Sequence, residues 1–463
     1  MHRSFFTIIF LLLSGVSFAQ TIQDVQMNNS VDSLVSPQFA GNQPGISILI
    51  AKNGQIVYRK AFGSANMELN APMQPDMVFR IGSITKQFTA VAILQLVEQG
   101  KISLQDSVQQ YIKDFPSKGY TITIENLLTH TSGLVDYTSM NDPDPYIERR
   151  DFTPEFLINY FKKEPLQFKP GTKYSYSNSN YLLLGYIIQL VSGEGYHQYM
   201  ADNVIKRADL THTLYTEEKT IVPNRVQGYD RYNGFFENCY YQTLSLGFAC
   251  GDLLSTTEDL YKWNNAVISG KLVSKTYIDK AFTPYKLSDG TFSTYGYGWF
   301  IEPIYGSLCI HHEGQTSGFI ALEKYFPQKD IYISILTNVK TSDDKTDFSD
   351  NRFRLFDKIT SLALGRQLVK EVNVSDTLLN DYVGTYSATF NKSTLTIYKR
   401  NGKLYADLSN GTGKNMVLLA LSQTKFLLPD TTTTSTFEFI TENGKVTKLI
   451  ATQDKKYEWR KIK

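Results

Sequence analysis

The chain has 463 residues, of which 42% are hydrophobic and 20% charged, a composition typical of a globular protein with a substantial core. Its 47 Lys and Arg residues balance 45 Asp and Glu residues, and no basic stripe stands out along the sequence. These features exclude a disordered or fibrous chain and argue against nucleic acid as a partner. The length favours more than one domain.

Residues 1–19 have the features of a secretory signal peptide. His2 and Arg3 precede an apolar stretch from Phe5 to Leu13, and small residues stand before position 20. The apolar stretch is shorter than the roughly 20 residues that a membrane-spanning helix needs. We therefore expect cleavage, no stable membrane span afterwards, and a periplasmic or secreted protein.

Two strands and a helix are predicted in the first hundred residues. Strand-like segments at 45–51 and 55–62 flank Asn53-Gly54, a strong hairpin signal. From Ser83 to Glu98 apolar residues recur at helical spacing, and Gly100 follows as a terminator.

The region after this helix is a mixture of helix and loop up to about residue 240. Strand-like segments then return between 295 and 339, and a closing helix is predicted up to Gly365. An early hairpin, a helical middle and late strands predict an α/β (α+β) fold, in which both ends of one domain complete an antiparallel sheet around a helical insert. Residues 20–370 form this domain.

Residues 376–463 differ from the rest of the chain because they alternate between apolar and polar residues almost throughout. Asn401-Gly402 and Asn443-Gly444 mark two of the turns. This pattern predicts a small, separate all-β domain, either a sandwich or a barrel.

Ser83 and Lys86 stand three residues apart where the first long helix begins, so their side chains share a face. A serine becomes a nucleophile when a neutral amine takes its proton, and the first turn of a helix offers N–H groups to an oxyanion. The spacing alone is weak, because Ser342/Lys345 and Ser422/Lys425 share it. A helix cap followed by a solvated lysine is the alternative.

Tyr176 and Asn178 lie in the turn-rich segment "YSYSNSN" before an apolar helix. A phenol can relay a proton and an amide can orient a substrate. By themselves the two residues fit a helix cap beside a packed tyrosine better than a catalytic role.

The segment "IHHEGQTSGF" places His312 and Gly314 at the end of a strand-like run. No second metal-binding motif accompanies the histidines, so we predict neither a metal nor an organic cofactor.

In their order SITK, YSN and HEG, these three segments resemble the motifs of the serine β-lactamase-related, penicillin-binding-protein-like hydrolases. The similarity is greatest to the branch that holds class C β-lactamases, D-alanyl-D-alanine carboxypeptidases, D-aminopeptidases and esterases. Segments such as "HTSGL", "GDLLSTTEDLYKW" and "YGYGW" add to it over residues 40–365. The family fold, an antiparallel sheet flanked by helices with a helical insert, agrees with the predicted one.

The resemblance implies a role for each candidate residue. Ser83 would be the acylated nucleophile, Lys86 its proton acceptor and Tyr176 a proton relay. Asn178 would bind the substrate's amide, and His312 stands where many relatives have lysine. The N–H groups of Ser83 and Gln315 would form the oxyanion hole beside Gly314.

We therefore predict an exported serine hydrolase that acts through an acyl-enzyme on Ser83. Its expected substrates are small molecules or short peptides with amide or ester bonds, namely D-amino-acid peptides, amides or esters, including ones derived from the cell wall. A class C-like β-lactamase or a D-alanyl-D-alanine carboxypeptidase is an alternative, and a cell-wall peptide receptor without turnover is another. A neutral His312, with Glu313 beside it if that side chain faces the cleft, predicts poor binding of carboxylate-bearing substrates. A secreted adhesin would leave the motifs unexplained.

Overall fold

The computed structural model describes residues 21–140, 149–217, 219–341, 348–368, 371–409, 415–429, 434–453 and 455–463. The predicted signal peptide lies outside these residues, as does the Ser342/Lys345 pair. Among the helices of the described ranges, none combines the length and apolar character needed to cross a membrane.

The described part of the chain contains helices of 4 to 16 residues. They are α1 Ile22–Val35, α2 Thr85–Glu98, α3 Val108–Tyr111, α4 Ile124–Leu128, α5 Pro154–Phe161, α6 Asn178–Ser192, α7 Tyr196–Met200, α8 Leu244–Gly251, α9 Thr257–Ile268, α10 Lys275–Ala281, α11 Phe348–Ala363 and α12 Asp376–Tyr382.

The strands fall into two groups separated by the helical middle of the chain, followed by a third group near the C-terminus. The first two groups are β1 Ile46–Lys52, β2 Gln55–Phe62, β3 Ser64–Asn66, β4 Ala71–Pro72, β5 Phe79–Arg80, β6 Tyr229–Tyr232, β7 Phe235–Asn238, β8 Leu254–Ser255, β9 Phe300–Ile304, β10 Ser307–Thr316, β11 Phe319–Phe326, β12 Ile331–Thr337 and β13 Val339–Thr341. The third group is β14 Gly384–Ala388, β15 Thr394–Arg400, β16 Lys403–Leu408, β17 Met416–Ala420, β18 Lys425–Pro429, β19 Thr434–Glu442, β20 Lys445–Thr452 and β21 Lys456–Lys461.

The central sheet has the strand order β2-β1-β12-β11-β10-β9, and its neighbours pair antiparallel. Strands from both ends of the domain therefore meet when β1 pairs with β12, which confirms the predicted fold. The β1–β2 hairpin turns at Asn53 and Gly54, which have φ of +49° and +74°. Both angles lie in the left-handed region that Asn-Gly turns favour.

Helices cover both faces of this sheet, so each face buries its own core. On one face the apolar side chains of α1 and α11 pack against alternate residues of β1, β11 and β12. On the other face lies the larger core, built around α2 and α6 and reaching Ala321 and Leu336 of the sheet. Because strand residues alternate between faces, each residue of β10 faces one core or the other.

The C-terminal strands β14 to β21 form a closed antiparallel barrel, which decides between the predicted sandwich and barrel. Closure is completed by β14, which pairs with β21 as well as with β15. The barrel has its own hydrophobic core, distinct from the two cores of the sheet domain.

Candidate active site

Ser83 lies in a single 3-10 turn, Gly82–Ile84, and α2 begins only at Thr85. The predicted helix therefore starts two residues earlier than the observed one. Gly82 has φ of +52°, and a Cβ at this position would lie 2.8 Å from the backbone nitrogen of Gln315. Only glycine combines this backbone angle with such a close approach.

Strand β10 runs directly beside this turn. A Cβ on Gly314 would lie 1.8 Å from the carbonyl oxygen of Ile81 and 3.1 Å from the nitrogen of Ser83. Gly314 thus lets the strand touch the turn, and the backbone nitrogens of Ser83 and Gln315 lie at the same junction. Two such N–H groups are the components of an oxyanion hole.

Lys86 is fully buried and its Nζ has three close neighbours. Nζ lies 2.9 Å from Ser83 Oγ, 2.9 Å from Asn178 Oδ1 and 2.8 Å from the carbonyl oxygen of Cys250. Burial lowers the pKa of Lys86 to about 8, although the neighbouring Asp136 opposes this shift.

Asn178 is the first residue of α6, and its side chain links Lys86 to the loop that contains Asp136 and Thr138. Its Oδ1 accepts from Lys86, while Nδ2 donates to Asp136 Oδ2 at 3.1 Å and to Thr138 Oγ1 at 3.0 Å. A substrate amide would thus share or replace one of these contacts. Its role in substrate binding stays a prediction.

Tyr176 precedes α6, and the nearby Ser83 side chain partly opposes the rise in its pKa that burial causes. Burial raises the pKa of Tyr176 well above its ordinary value, so the phenol keeps its proton at neutral pH. Lys86 Nζ lies 4.9 Å from the centre of the Tyr176 ring. Ser83, Lys86, Tyr176 and Asn178 are therefore brought together as one cluster.

His130, in "HTSGL", packs behind this cluster rather than entering it. Its ring centre is 4.3 Å from that of Tyr176, and Nδ1 accepts from the Ser177 N–H at 3.2 Å. Nδ1 also contacts Asn180 Nδ2 at 3.0 Å. These contacts hold the turn that carries Tyr176.

His312 lies on the cleft face of β10, but its side chain is 1% exposed. Nδ1 lies 2.6 Å from the Glu313 carbonyl oxygen and Nε2 lies 3.0 Å from the Tyr295 hydroxyl. A carbonyl can only accept, so Nδ1 carries the proton and Nε2 accepts from Tyr295. Burial, followed by the charge of Lys86, lowers the pKa of His312 to about 3.

Glu313 does not face the cleft, which corrects the conditional expectation of repulsion from its carboxylate. Its cross-strand partner is Leu322, which packs in the core on the α1 and α11 face of the sheet. The charged groups that act on Glu313 include Lys324 and Asp357 on that same side. Burial raises the pKa of Glu313.

Three contributors to the site were not found from sequence: the Cys250 carbonyl, Asp136 and Tyr295. Tyr295 is the first residue of "YGYGW", one of the segments that resemble the family, so the sequence did contain a signal that could have pointed to it. A backbone carbonyl such as that of Cys250 leaves no signal in the sequence, because every residue type has one. Ser422, of another serine-lysine pair, accepts the Lys425 backbone N–H in the turn before β18.

No group of three or more His, Cys, Asp or Glu side chains that could hold a metal occurs within the described ranges. The three cysteines, all of which are described, have free thiols.

The model of the Beta-lactamase family matches residues 31–355. The chain belongs to this family of serine hydrolases. Residues 369–463 match a separate family described as a domain of unknown function, DUF3471. PbpX of Bacillus subtilis (strain 168), which is named as a penicillin-binding protein, is 33% identical over 70% of this chain and 77% of its own length.

Two solved structures extend the comparison. The octameric penicillin-binding protein homologue from Pyrococcus abyssi has a TM-score of 0.62 and 26% identity, covering 94% of this chain and 98% of its own. The D-amino acid amidase from Ochrobactrum anthropi SV3, complexed with L-phenylalanine amide, has a TM-score of 0.65 and 23% identity. It covers 73% of this chain and 99% of its own, and this likeness supports the fold alone.

Proposed function

We propose that the protein is an exported serine hydrolase that cleaves amide or ester bonds through an acyl-enzyme on Ser83. Its substrates are amides, esters or short peptides of D-amino acids, read from their amino end. The environment of Lys86 Nζ carries the proposal.

A neutral lysine amine has two hydrogens and one lone pair. Two of the three neighbours of Nζ, Asn178 Oδ1 and the Cys250 carbonyl, accept hydrogen bonds, so they take both hydrogens. The lone pair is then left for the third neighbour, the Ser83 hydroxyl at 2.9 Å. With a pKa of about 8, the amine is neutral in a useful fraction of molecules near neutral pH.

Acylation follows from this arrangement. Lys86 takes the proton of Ser83 as Oγ forms a bond to the substrate carbonyl carbon, and the N–H groups of Ser83 and Gln315 bind the resulting oxyanion. Collapse of this intermediate breaks the bond to the leaving amine or alcohol. Tyr176 gives the leaving group its proton and regains one from Lys86. Water then releases the acyl group by the reverse proton path.

The substrate class follows from His312. Both of its ring nitrogens are bonded within the protein, and the ring is neutral. A substrate carboxylate at β10 would receive neither a charge nor an N–H from it, so penicillins and peptides with a free D-alanine carboxylate should be poor substrates.

A fluorophosphonate tests the nucleophile. The wild type should be labelled on Ser83, and Ser83→Ala should not be labelled although it remains folded. Ser422→Ala removes the serine of another serine-lysine pair and should be labelled like the wild type. Labelling of Ser83→Ala at a different serine would overturn the assignment.

Turnover separates the enzyme from a receptor that only acylates. D-phenylalanine amide and a simple ester should be hydrolysed over many cycles, and faster than nitrocefin or a peptide ending in D-alanyl-D-alanine. A single burst of acylation without turnover would favour the receptor. Export predicts that the mature protein begins near residue 20, which N-terminal sequencing of the secreted fraction checks.

A further inference from the structure

The backbone carbonyl that contacts Lys86 comes from a strained turn. The Cys250 oxygen, 2.8 Å from Lys86 Nζ, belongs to the last turn of α8. Two residues earlier Phe248 departs from helical geometry, with φ of +36° and ψ of −130°. A bulky residue rarely adopts a positive φ, and this conformation persists only where the surrounding contacts hold it. The place of the Cys250 carbonyl therefore depends on what fixes residues 248–252.

The short helix α7 holds this turn on its upstream side through Tyr196. The Tyr196 ring packs on that of Phe248, with centres 4.8 Å apart. Its hydroxyl lies 2.6 Å from Thr89 Oγ1, and Thr89 donates in turn to the Ala249 carbonyl at 2.7 Å. Because Thr89 gives its hydroxyl proton to Ala249, Tyr196 is the donor of the first contact. This chain of hydrogen bonds fixes the residue before Cys250.

His197, the next residue of α7, holds the turn on its downstream side. Its Nε2 lies 2.9 Å from Asp252 Oδ2. The Asp252 side chain is 1% exposed, and its other oxygen, Oδ1, has no hydrogen-bond partner within the described ranges. Burial raises the pKa of Asp252, and His197 and, more weakly, Arg80 oppose this rise. A buried carboxylate is costly unless it is paired, so the contact with His197 keeps Asp252 inside.

His197 reaches this buried carboxylate from the surface. Its side chain is 39% exposed, and its ring stacks on that of Tyr215 with centres 5.0 Å apart. Burial lowers the pKa of His197, but Asp252 and, more weakly, Glu217 outweigh this effect and raise it overall. The pair is therefore an ion pair that reaches from solvent to the turn beside the cleft.

We propose that the ion pair of His197 and Asp252 positions the Cys250 carbonyl for catalysis. The carbonyl acts on Lys86, so this inference rests on the proposed function of Lys86 and Ser83. It takes one hydrogen of the neutral amine and thereby helps to turn the lone pair to Ser83. It also stabilises the ammonium form, because a carbonyl accepts more strongly from a charged donor. Without the pair the turn would relax, and Lys86 would lose its proton more easily but present its lone pair less well.

His197→Phe tests the proposal in the full-length protein, because it keeps a ring for Tyr215 but has no donor for Asp252. Lysine labelled with carbon-13 at Cε reports the titration of Lys86 by NMR, and Lys86→Met identifies its signal. The midpoint should fall by about one pH unit, and the plateau rate of Ser83 acylation by a simple ester should fall about tenfold, each the size of one hydrogen bond. Loss of a positive charge could only raise that midpoint, so the direction separates positioning from electrostatics.

His197→Gln is the rescuing variant. Its amide nitrogen stands about as far from the backbone as Nε2 and can donate to Asp252, so the Lys86 midpoint and the acylation rate should stay near the wild-type values. Packing of the ring alone would not be rescued, since Gln has none. His212→Phe, at an exposed histidine, is the matched control and should change neither value.

A double variant, His197→Phe with Asp252→Asn, serves if His197→Phe does not fold. It removes both partners as a neutral unit, so no unpaired carboxylate is left inside and the net charge near Lys86 is preserved. The same fall in the Lys86 midpoint is expected. All the variants of the pair retain the other titratable groups that interact with Lys86, which are Asp136, Tyr176, His130, His312 and the Cys250 thiol.

A Lys86 midpoint that stays in place or rises in both His197→Phe and the double variant would overturn the proposal. Equal losses in His197→Gln and His197→Phe would do the same, because the donor would then be irrelevant. Failure of the proposed function looks different: the wild type would not be acylated on Ser83. The NMR midpoints judge the effect of the pair on Lys86 in either case.

Discussion

The cleft at Ser83 and the interior of the C-terminal barrel are built in different ways. In the cleft the amine of Lys86 is buried, and its hydrogen-bonding neighbours come from three different parts of the chain. The described core of the barrel consists of apolar side chains, which alternate with outward-facing residues along consecutive strands. The cleft therefore depends on groups that lie far apart in the sequence, whereas the barrel core depends on local alternation along each strand.

Replacing Lys86 should have the largest effect, because the cleft would lose its base. Lys86→Met should lower turnover of a simple ester by up to about 10⁴-fold, at the upper end of what general base catalysis contributes. Lys324→Met is a matched control, since Lys324 is also buried but pairs with Asp357 on the other face of the sheet. Comparable losses in both variants would contradict a catalytic role for Lys86.

Gly314→Ala should have the next largest effect. The added methyl group would overlap the Ile81 carbonyl oxygen and push β10 away from the Ser83 turn. Misplacing an oxyanion donor typically costs about 10²–10³-fold in turnover, so a loss of this size is expected in steady-state kinetics.

Gly195→Ala is the control for that change, because a methyl group there meets nothing within 4 Å. Its turnover should equal that of the wild type. If the turnover of Gly314→Ala also equals that of the wild type, the oxyanion does not form at the junction of β10 and the Ser83 turn.

The pH profile should show the titration of Lys86. Its pKa is lowered to about 8, so the neutral amine increases about tenfold per pH unit below that value and levels off above it. The rate of acylation should follow the same curve. Because Asp136 raises the pKa of Lys86, Asp136→Asn should move the midpoint to lower pH. A midpoint that does not move would assign the titration to another group.

Glu313→Thr should have almost no effect on substrate preference. The side chain lies on the face of the sheet opposite the cleft, so the ratio of turnover on carboxylate-bearing and neutral substrates should stay within about twofold. His312→Lys, which puts an ammonium on the cleft face, is the contrasting variant and should raise that ratio. A large rise in Glu313→Thr would show that the carboxylate reaches the substrate.

Glu313 also marks the limit of what the sequence could predict. Ser83, Lys86 and Tyr176 could be proposed because their side chains carry the chemistry and their segments open helices. The face on which Glu313 lies depends on strand register, and a shift of one residue reverses it. The contact between Lys86 and the Cys250 carbonyl could not be predicted, because it does not depend on a side chain of Cys250.

The barrel shows the same limit in another form. Alternating residues predicted an all-β domain, but the same alternation serves a sandwich and a barrel equally. Only the pairing of β14 with β21 closes the sheet. Closure brings one set of alternating residues together as a single core, so the membership of that core could not be predicted from the alternation alone.

Removing the barrel should change hydrolysis least. Leu364 and Leu368 pack against the core beneath the sheet, whereas Val372 N–H already donates to Ala420 of the barrel. A chain ending at Leu368 therefore keeps the sheet domain's own packing. Its turnover on a small ester should stay within about twofold of the full-length value, because the two domains have separate cores and the described residues of the barrel contribute none of the groups around Ser83. Circular dichroism would verify folding, and loss of ester turnover in a folded truncation would mean that the barrel shapes the cleft.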